Sequence, residues 1–473
     1  MITLSLAEIA EIVGGQPHDI PDPAVTVTGP VVIDSREVAP GSLFAAFAGE
    51  RVDGHDYAQR AVEAGAAAVL AARPVGVPAI VVDDVVGALG ALARAAVERL
   101  GTSVVALTGS AGKTSTKDLI AQLLQRHGPT VWTPGSLNNE IGLPLTALTA
   151  TAETEHLVLE MGARGIGHIR YLTELTPPRV GLVLNVGSAH LGEFGSREAI
   201  AQAKGEMVEG LPEDGCAVLN ADDPLVLAMA SRTKARVLLF GEAPEADVRG
   251  EKVRMTPDGR PVFELHTPTG CSDVTMRLYG EHHVSNALAA AAVAHELGMS
   301  VTEIAEALSE AGTLSRWRME VTERGDGVTV VNDAYNANPE SMRAALRALA
   351  AMGQARGADG GRTWAVLGQM AELGDSSLAE HDAVGRLAVR LNVSKLVAVG
   401  GTEASWLQLG AYNEGSWGEE SVHVSDAQAA VDLLRSELRP GDVVLVKASR
   451  SVGLEKVAQA LLENSTEGEV AGR

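Results

Sequence analysis

The stretch TGSAGKTST (108–116) runs from an apolar segment into a helical one, and its residue types specify phosphate chemistry. Gly109 and Gly112 let backbone N–H groups turn toward a phosphate chain, and a helix N-terminus adds a positive dipole end. Lys113 supplies a point charge for β- and γ-phosphates, and the Thr114 hydroxyl is placed to ligate Mg²⁺. Gly109, Ser110, Ala111, Gly112, Lys113, Thr114 and Ser115 together read as an ATP-binding loop. The longer pattern GxxxxGK[ST] is not matched, since Leu107 stands where its first glycine would be. The shorter GxxGKT draws its weight from the strand–loop–helix setting; the competing reading is a glycine-rich helix cap with a chance Lys-Thr. Glu160 ends the run HLVLE, where a carboxylate would face the loop across a parallel sheet as a hard oxygen ligand for Mg²⁺. A strand-end glutamate taken alone is more often solvated, and the loop reverses that balance. His190 and Lys204, taken singly, read as a structural histidine and a solvated lysine.

The elements that must position these groups are legible as apolar runs. SVVALT, HLVLEMG (156–162), RVGLVLNVG (179–187) and GCAVLNADD (215–223) are continuous apolar segments that turn polar at their C-terminal ends, with helical stretches such as residues 113–127 between them. That pattern predicts a parallel sheet buried on both faces, with ligands beyond the carboxyl ends of its strands, at Thr108, Glu160, Asn185 and Asn220. A second series, GVTVVND, TWAVLG, KLVAVG and DVVLVKAS, alternates with helices at 341–352 and 427–437. Upstream of both, strand-like runs at 25–34, 43–48 and 79–82 accompany a helix at 85–100, and the polar stretch 241–261 reads as an edge hairpin. The expected architecture is α/β in three domains: a small α/β unit at 1–98, a central phosphate-loop domain with a mostly parallel sheet at 99–313, and a Rossmann-like unit at 314–473.

The chain has 473 residues and a formal net charge of −23. So acidic a balance argues against nucleic-acid binding, which needs a basic footprint, yet leaves room for a phosphorylated ligand at a local positive site. Cys216 and Cys271, the two cysteines, cannot build a disulfide framework. The start MITLSLAEIAEIVGG lacks a basic n-region, and uncharged runs such as AGAAAVLAA fall far short of the roughly 20 residues that span a bilayer. The expectation is a soluble, cytoplasmic, monomeric protein with no membrane insertion.

Several stretches in order, TGSAGKTSTK, NNEIGLP (138–144), EMGARGIGHI, NVGSAHLGEFGS, AKGEM, LNADDP, GEHHVSNALAAAA, NDAYNANPESM and LVKASRS, resemble the Mur ligases, ATP-dependent amide-forming enzymes of peptidoglycan synthesis. The resemblance runs from about residue 25 to 460 and rests on no single motif. YNANPESM and QMAELG look like the dipeptide-adding branch, and the DNPR-like motif typical of the sister that adds the third amino acid is not found. Residues 34–57 are similar to the uridine-binding domain of both branches. One departure is Gln369, where an Asp is common, and it puts a charge-dependent role there in doubt.

The resemblance implies two Mg²⁺ ions, with Lys113, Thr114 and Glu160 at ATP and the first ion. His190 would bind the second ion, steadied by a carbamylated Lys204. Asn286, with His282 near it, would meet the adenine, and Arg318 and Asp333 the ribose and phosphates. Asn138 and Asn139 belong to its substrate stretches. Tyr335, Asn336 and Asn338 would lie at a domain junction, Lys447, Ser449 and Arg450 near an incoming D-alanyl-D-alanine, and Ser35 and Arg36 on the uridine nucleotide of a UDP-N-acetylmuramoyl-tripeptide. Asn338 also reads as the cap of a helix with Pro339 in its first turn. A sister ligase, a folylpolyglutamate-type synthase and an ATPase switch remain as alternatives.

Overall fold

The computed structural model describes residues 2–49, 52–187, 191–355 and 361–467. Its N-terminal part holds a five-stranded sheet in the order Gln16–His18, Ala79–Val81, Ala68–Ala71, Leu43–Ala45, Val31–Val32, parallel except at its first pair. The run 25–34, expected as one strand, divides into Thr26–Val27 and Val31–Val32. Pro30 has no N–H for a ladder. The N–H groups of Thr28 and Gly29 both donate to Gly41 O (3.1 and 3.0 Å), so the chain turns there and Val31 pairs with Leu43. The helix Val85–Leu100 forms at its expected limits because Asp84 accepts the Val86 N–H at 3.0 Å and Gly101 closes the end in the left-handed region (φ +62°).

The central sheet has nine strands, ordered Gly270–Thr275, Pro261–Thr267, Val248–Met255, Arg236–Gly241, Cys216–Asn220, Val180–Val183, Ser103–Thr108, His156–Glu160, Thr130–Trp132. It is parallel from Val248–Met255 to the far edge, and the expected hairpin at the other edge is a three-stranded antiparallel meander. Its four central strands, Ser103–Thr108, His156–Glu160, Val180–Val183 and Cys216–Asn220, are buried almost throughout, which is why the sequence shows continuous apolar runs there. Two helices build the layer behind the phosphate loop. Lys113–Gln125 ends two residues before the expected limit, and its Leu119, Ile120, Leu123 and Leu124 pack with the Ala-rich helix His282–Glu296. The run ALAAAAVA is wholly buried there, and its small side chains let the two helices approach closely.

The C-terminal sheet has six strands in the order Glu320–Glu323, Thr329–Asn332, Val443–Lys447, Thr363–Leu367, Lys395–Val399, Ser421–Val424, parallel except at its first pair. Pro339 opens the helix Pro339–Ala355, and Asn338 caps it by accepting the Ser341 N–H at 2.9 Å. Among the described residues no helix is long and apolar enough to cross a membrane.

Candidate active site

Phosphate-loop residues line a cleft of about 560 Å³ between the carboxyl ends of the central strands and the C-terminal unit. The loop is held open from beneath. Asn185, just past its strand, accepts the N–H groups of Ser110 and Ala111, both at 2.9 Å, and donates to Ala111 O at 3.1 Å. Gly112 sits at φ +80°, and a Cβ there would come within 2.6 Å of Asn286 Oδ1, so only glycine fits. Lys113 donates to Gly109 O at 2.7 Å. Burial pushes its pKa down, with Glu160 opposing that shift and Arg318 adding to it.

Around Glu160 the side chains converge. Thr114 Oγ1 donates to Glu160 Oε2 (3.0 Å), Asn138 Nδ2 to Glu160 Oε1 (2.7 Å), and Arg318 reaches across to Thr114 Oγ1 (3.1 Å). A hydroxyl and a carboxylate side by side form a hard-oxygen donor pair that suits Mg²⁺. Arg318 lies over the Tyr335 ring at 4.3 Å, and the Tyr335 hydroxyl bonds to Ser136. Asp333 accepts from Lys447 Nζ at 2.6 Å and from the Met319 N–H at 3.1 Å; Lys447 also donates to Asn336 O at 2.9 Å. Burial lowers the Lys447 pKa against the opposing pull of Asp333. Asn338 ties the two units together, since its Nδ2 donates to Ser110 O at 3.3 Å.

Asn286 and His282 also line the cleft, as does Asn139, whose Oδ1 accepts the Gly142 N–H at 2.8 Å. Lys204 lies outside the lining, buried on the helix Arg197–Glu209, and burial together with the charge of Lys113 drives its pKa well below 10.5. Ser449 and Arg450 do not line the cleft either. Ser449 Oγ accepts the Ala371 N–H at 2.8 Å, while Arg450 pairs with Glu455 at 3.0 Å and stacks on Trp317 at 4.2 Å. Ser35 and Arg36 stand apart on a turn of the N-terminal unit, where Arg36 holds the Asp34 carboxyl down at about 2. His190 lies outside the described residues. Gln369 donates to Glu403 at 3.2 Å, a bond that an Asp in its place could not donate.

Sequence reasoning missed several groups in this cleft. Arg164 and His168 lie inside the quoted EMGARGIGHI, and Glu372 inside QMAELG, yet nothing in their spacing singled them out. Four buried polar atoms around the cleft, Ser110 Oγ, His282 Nδ1, Asn286 Nδ2 and Arg318 Nε, have no hydrogen-bond partner among the described residues. Orphaned polar atoms converging on one cavity suit a polar ligand such as a nucleotide.

His282 and His283, at the start of the helix His282–Glu296, make stability pH-dependent. Burial lowers His282 to about 4 and His283 well below 6.5. Both folded-state values lie under the unfolded one, so the unfolded chain takes up protons first as pH falls. The contribution of His282 is complete above pH 6.5 and is lost between 6.5 and about 4, and that of His283 falls in the same direction as pH drops below 6.5. Chemical denaturation should show about 2 kcal/mol less stability at pH 5 than at pH 7.5 from His282 alone. A His283→Leu variant should have a flatter profile; an unchanged slope would contradict this account.

Three family models match the chain: "Mur ligase family, catalytic domain" over residues 30–101, "Mur ligase middle domain" over 107–294, and "Mur ligase, glutamate ligase domain" over 317–450. The UDP-N-acetylmuramoyl-tripeptide–D-alanyl-D-alanine ligase of Mycobacterium tuberculosis is 52% identical, covering 99% of this chain and 100% of its own length. The ligase of the same name from Escherichia coli is 38% identical over 98% of this chain and 100% of its own. Among solved structures, MurF from Acinetobacter baumannii superposes with a TM-score of 0.87 at 32% identity, covering 98% and 99% of the two chains. The MurF ligase of Thermotoga maritima in complex with ADP gives 0.80 at 32% identity over 93% and 99%.

Proposed function

The chain belongs to the Mur ligase family, and from that premise we propose that it joins D-alanyl-D-alanine to UDP-N-acetylmuramoyl-tripeptide through an acyl phosphate, with ATP cleaved to ADP and phosphate. It is an ATP-dependent ligase forming an amide bond in peptidoglycan precursor synthesis. The observation that carries the catalytic reading is the convergence of Thr114, Glu160 and Arg318 within hydrogen-bond distance in one cleft shared by two units of a single chain. That construction needs no second copy and supports action as a monomer. We place the reaction in the cytoplasm, and take 1–98, 99–313 and 314–473 as the working units.

Amide formation from a carboxylate in water is uphill, so the carboxylate must first be activated. ATP and the tripeptide's terminal carboxylate are both anions, and the site must hold them together. Lys113 neutralises the β/γ-phosphates from the loop and Arg318 approaches from the opposite unit, so positive charge faces the transferring group from two sides. Thr114 and Glu160 would hold a Mg²⁺ ion; His190 and a carbamylated Lys204 would hold a second. When bound, the ions supply Lewis-acid neutralisation of the phosphate and carboxylate oxygens. Asn138 fixes the Glu160 carboxylate, which keeps its other oxygen directed at Thr114. Asn286 and His282 supply polar edges for the adenine, Asp333 for the ribose, and Tyr335, Asn336 and Asn338 hold the junction closed against water. Lys447 and Ser449, each engaged by the protein itself, would position their surroundings near the incoming dipeptide, and Arg450, which pairs with Glu455 outside the cleft lining, would approach the dipeptide carboxylate from there. Ser35 and Arg36 take the uridine end.

The test follows phosphate release by purified protein with ATP, Mg²⁺ and UDP-N-acetylmuramoyl-tripeptide, with and without D-alanyl-D-alanine. Release that requires both acceptor and donor is the expected result. Dependence on a single amino acid with a UDP-dipeptide would assign the sister reaction, and steady release with ATP alone would overturn the ligase reading.

A further inference from the structure

The segment joining the helix Val301–Glu310 to the strand Glu320–Glu323 leads into the C-terminal unit, and it lies along one face of the phosphate-loop helix Lys113–Gln125. Its contacts form an ordered series. Gln122 donates to Gly312 O and accepts from the Gly312 N–H, both at 3.0 Å. One turn earlier, Asp118 Oδ2 accepts the Ser315 N–H at 3.0 Å. One turn earlier again, Thr114 Oγ1 accepts from Arg318 at 3.1 Å. The helix thus contributes every fourth residue and the linker every third, running in opposite directions. Lys117, wholly buried, braces this face: its Nζ pairs with Asp118 at 2.9 Å, approaches Ser315 Oγ at 3.4 Å, and donates to Thr133 O (2.8 Å) and Gly135 O (3.0 Å). Trp317 and Met319, on either side of Arg318, occupy the left-handed region at φ +59° and +50°. A non-glycine residue holds that conformation only where its surroundings impose it.

We propose that Gln122, Asp118 and Lys117 are positioning residues that zip the interdomain linker onto the phosphate-loop helix, and so set Arg318 over Thr114 for the ligase reaction. The first two rungs bear on backbone groups of the linker, so they fix its path whatever its side chains. The third rung is the one at the phosphates. Loosening the first two lets Arg318 drift, and misplacement of a charge by about 1 Å at a reacting group costs up to about 100-fold in rate.

Gln122 is half-buried, so Gln122→Leu retains its bulk and is the variant expected to fold. In it, amide hydrogen exchange at Gly312 and Ser315 should speed up, and kcat should fall about 10-fold. In an Arg318→Ala background the same substitution should lower kcat by less than about 2-fold, because the group it acts through is gone. Asp118→Asn retains an acceptor for the Ser315 N–H and should preserve more activity than Asp118→Ala. The proposal is overturned by unchanged exchange at Gly312 and Ser315, by unchanged kcat in Gln122→Leu, or by the full 10-fold loss persisting without Arg318. It rests on the ligase reading for its kinetic arm alone. Wild-type protein without dipeptide-dependent turnover would sink that reading, while the exchange measurement would still judge the clamp.

Discussion

Lys113→Ala should stop ADP formation, with turnover falling by roughly 10³-fold or more while the chain stays folded. The half-buried ammonium lines the cleft at the loop, where the surrounding protein screens it less than bulk water and strengthens its attraction for phosphate oxygens. Among the described residues its one hydrogen bond is to Gly109 O, so removing the side chain takes little from the fold. The loop's shape is set instead by Asn185, whose amide holds the Ser110 and Ala111 N–H groups. ADP release in the complete reaction mixture, with a thermal melt alongside, separates the two effects. Near wild-type turnover would mean that this loop does not bind the transferring phosphates. A collapsed melt would mean that Lys113 contributes to the fold, against the contacts seen.

Local signals in the sequence predict the parts of the fold that local chemistry decides. Residues 85–100 and 427–437 form helices at the expected limits because Asp84 and Asp426 cap their first turns through side-chain oxygens. The parallel core strands are legible from their unbroken apolar runs. Residues 25–34 carry the same β-like composition, yet they divide, because the Gly41 carbonyl takes two N–H groups from a segment 12 and 13 residues upstream. The third strand of the edge meander, Gly270–Thr275, was missed for a related reason: its pairing with Pro261–Thr267 is what makes it a strand.

The site divides along the same line. Lys113, Thr114 and Glu160 are visible from residue type and strand-end placement, because a phosphate loop is a local structure. Arg318, Asp333 and Lys447 are reached only by resemblance, since nothing in their local sequence announces that they line one cleft with a loop more than 200 residues earlier. Lys117, Asp118 and Gln122 carried no signal at all. On a helix next to GKT they look like the polar face of an amphipathic helix, and their partners Gly312 and Ser315 lie 190 and 197 residues away. A lysine that is wholly buried among carbonyls and one carboxylate cannot be told from a solvated one until the fold supplies its neighbours.

Lys204→Ala should cost roughly 10²- to 10³-fold in turnover, and the way activity returns should identify the reason. An unmodified ammonium buried near Lys113 would add like charge to a site that must gather two anions and their metal ions. Burial and the charge of Lys113 both push the Lys204 pKa well below 10.5, so a larger share of the amine is neutral near neutral pH than for a solvated lysine. A neutral amine adds to CO₂, forming an N–C bond and releasing a proton, which replaces a cation with an anionic carbamate bearing two hard oxygens. That product relieves the repulsion with Lys113 and can ligate Mg²⁺, where the ammonium can do neither. Wild-type protein in CO₂-depleted buffer should therefore lose activity and regain it with bicarbonate, and formate or acetate should restore part of the turnover of Lys204→Ala by standing in for the carbamate. With ¹³C-bicarbonate, a carbamate resonance should appear in the wild type and be absent from Lys204→Ala. Activity indifferent to CO₂, together with no such resonance, would leave Lys204 an unmodified buried amine and remove its carbamate as a ligand of the second ion, without touching the assignment of Lys113, Thr114 and Glu160 to the first.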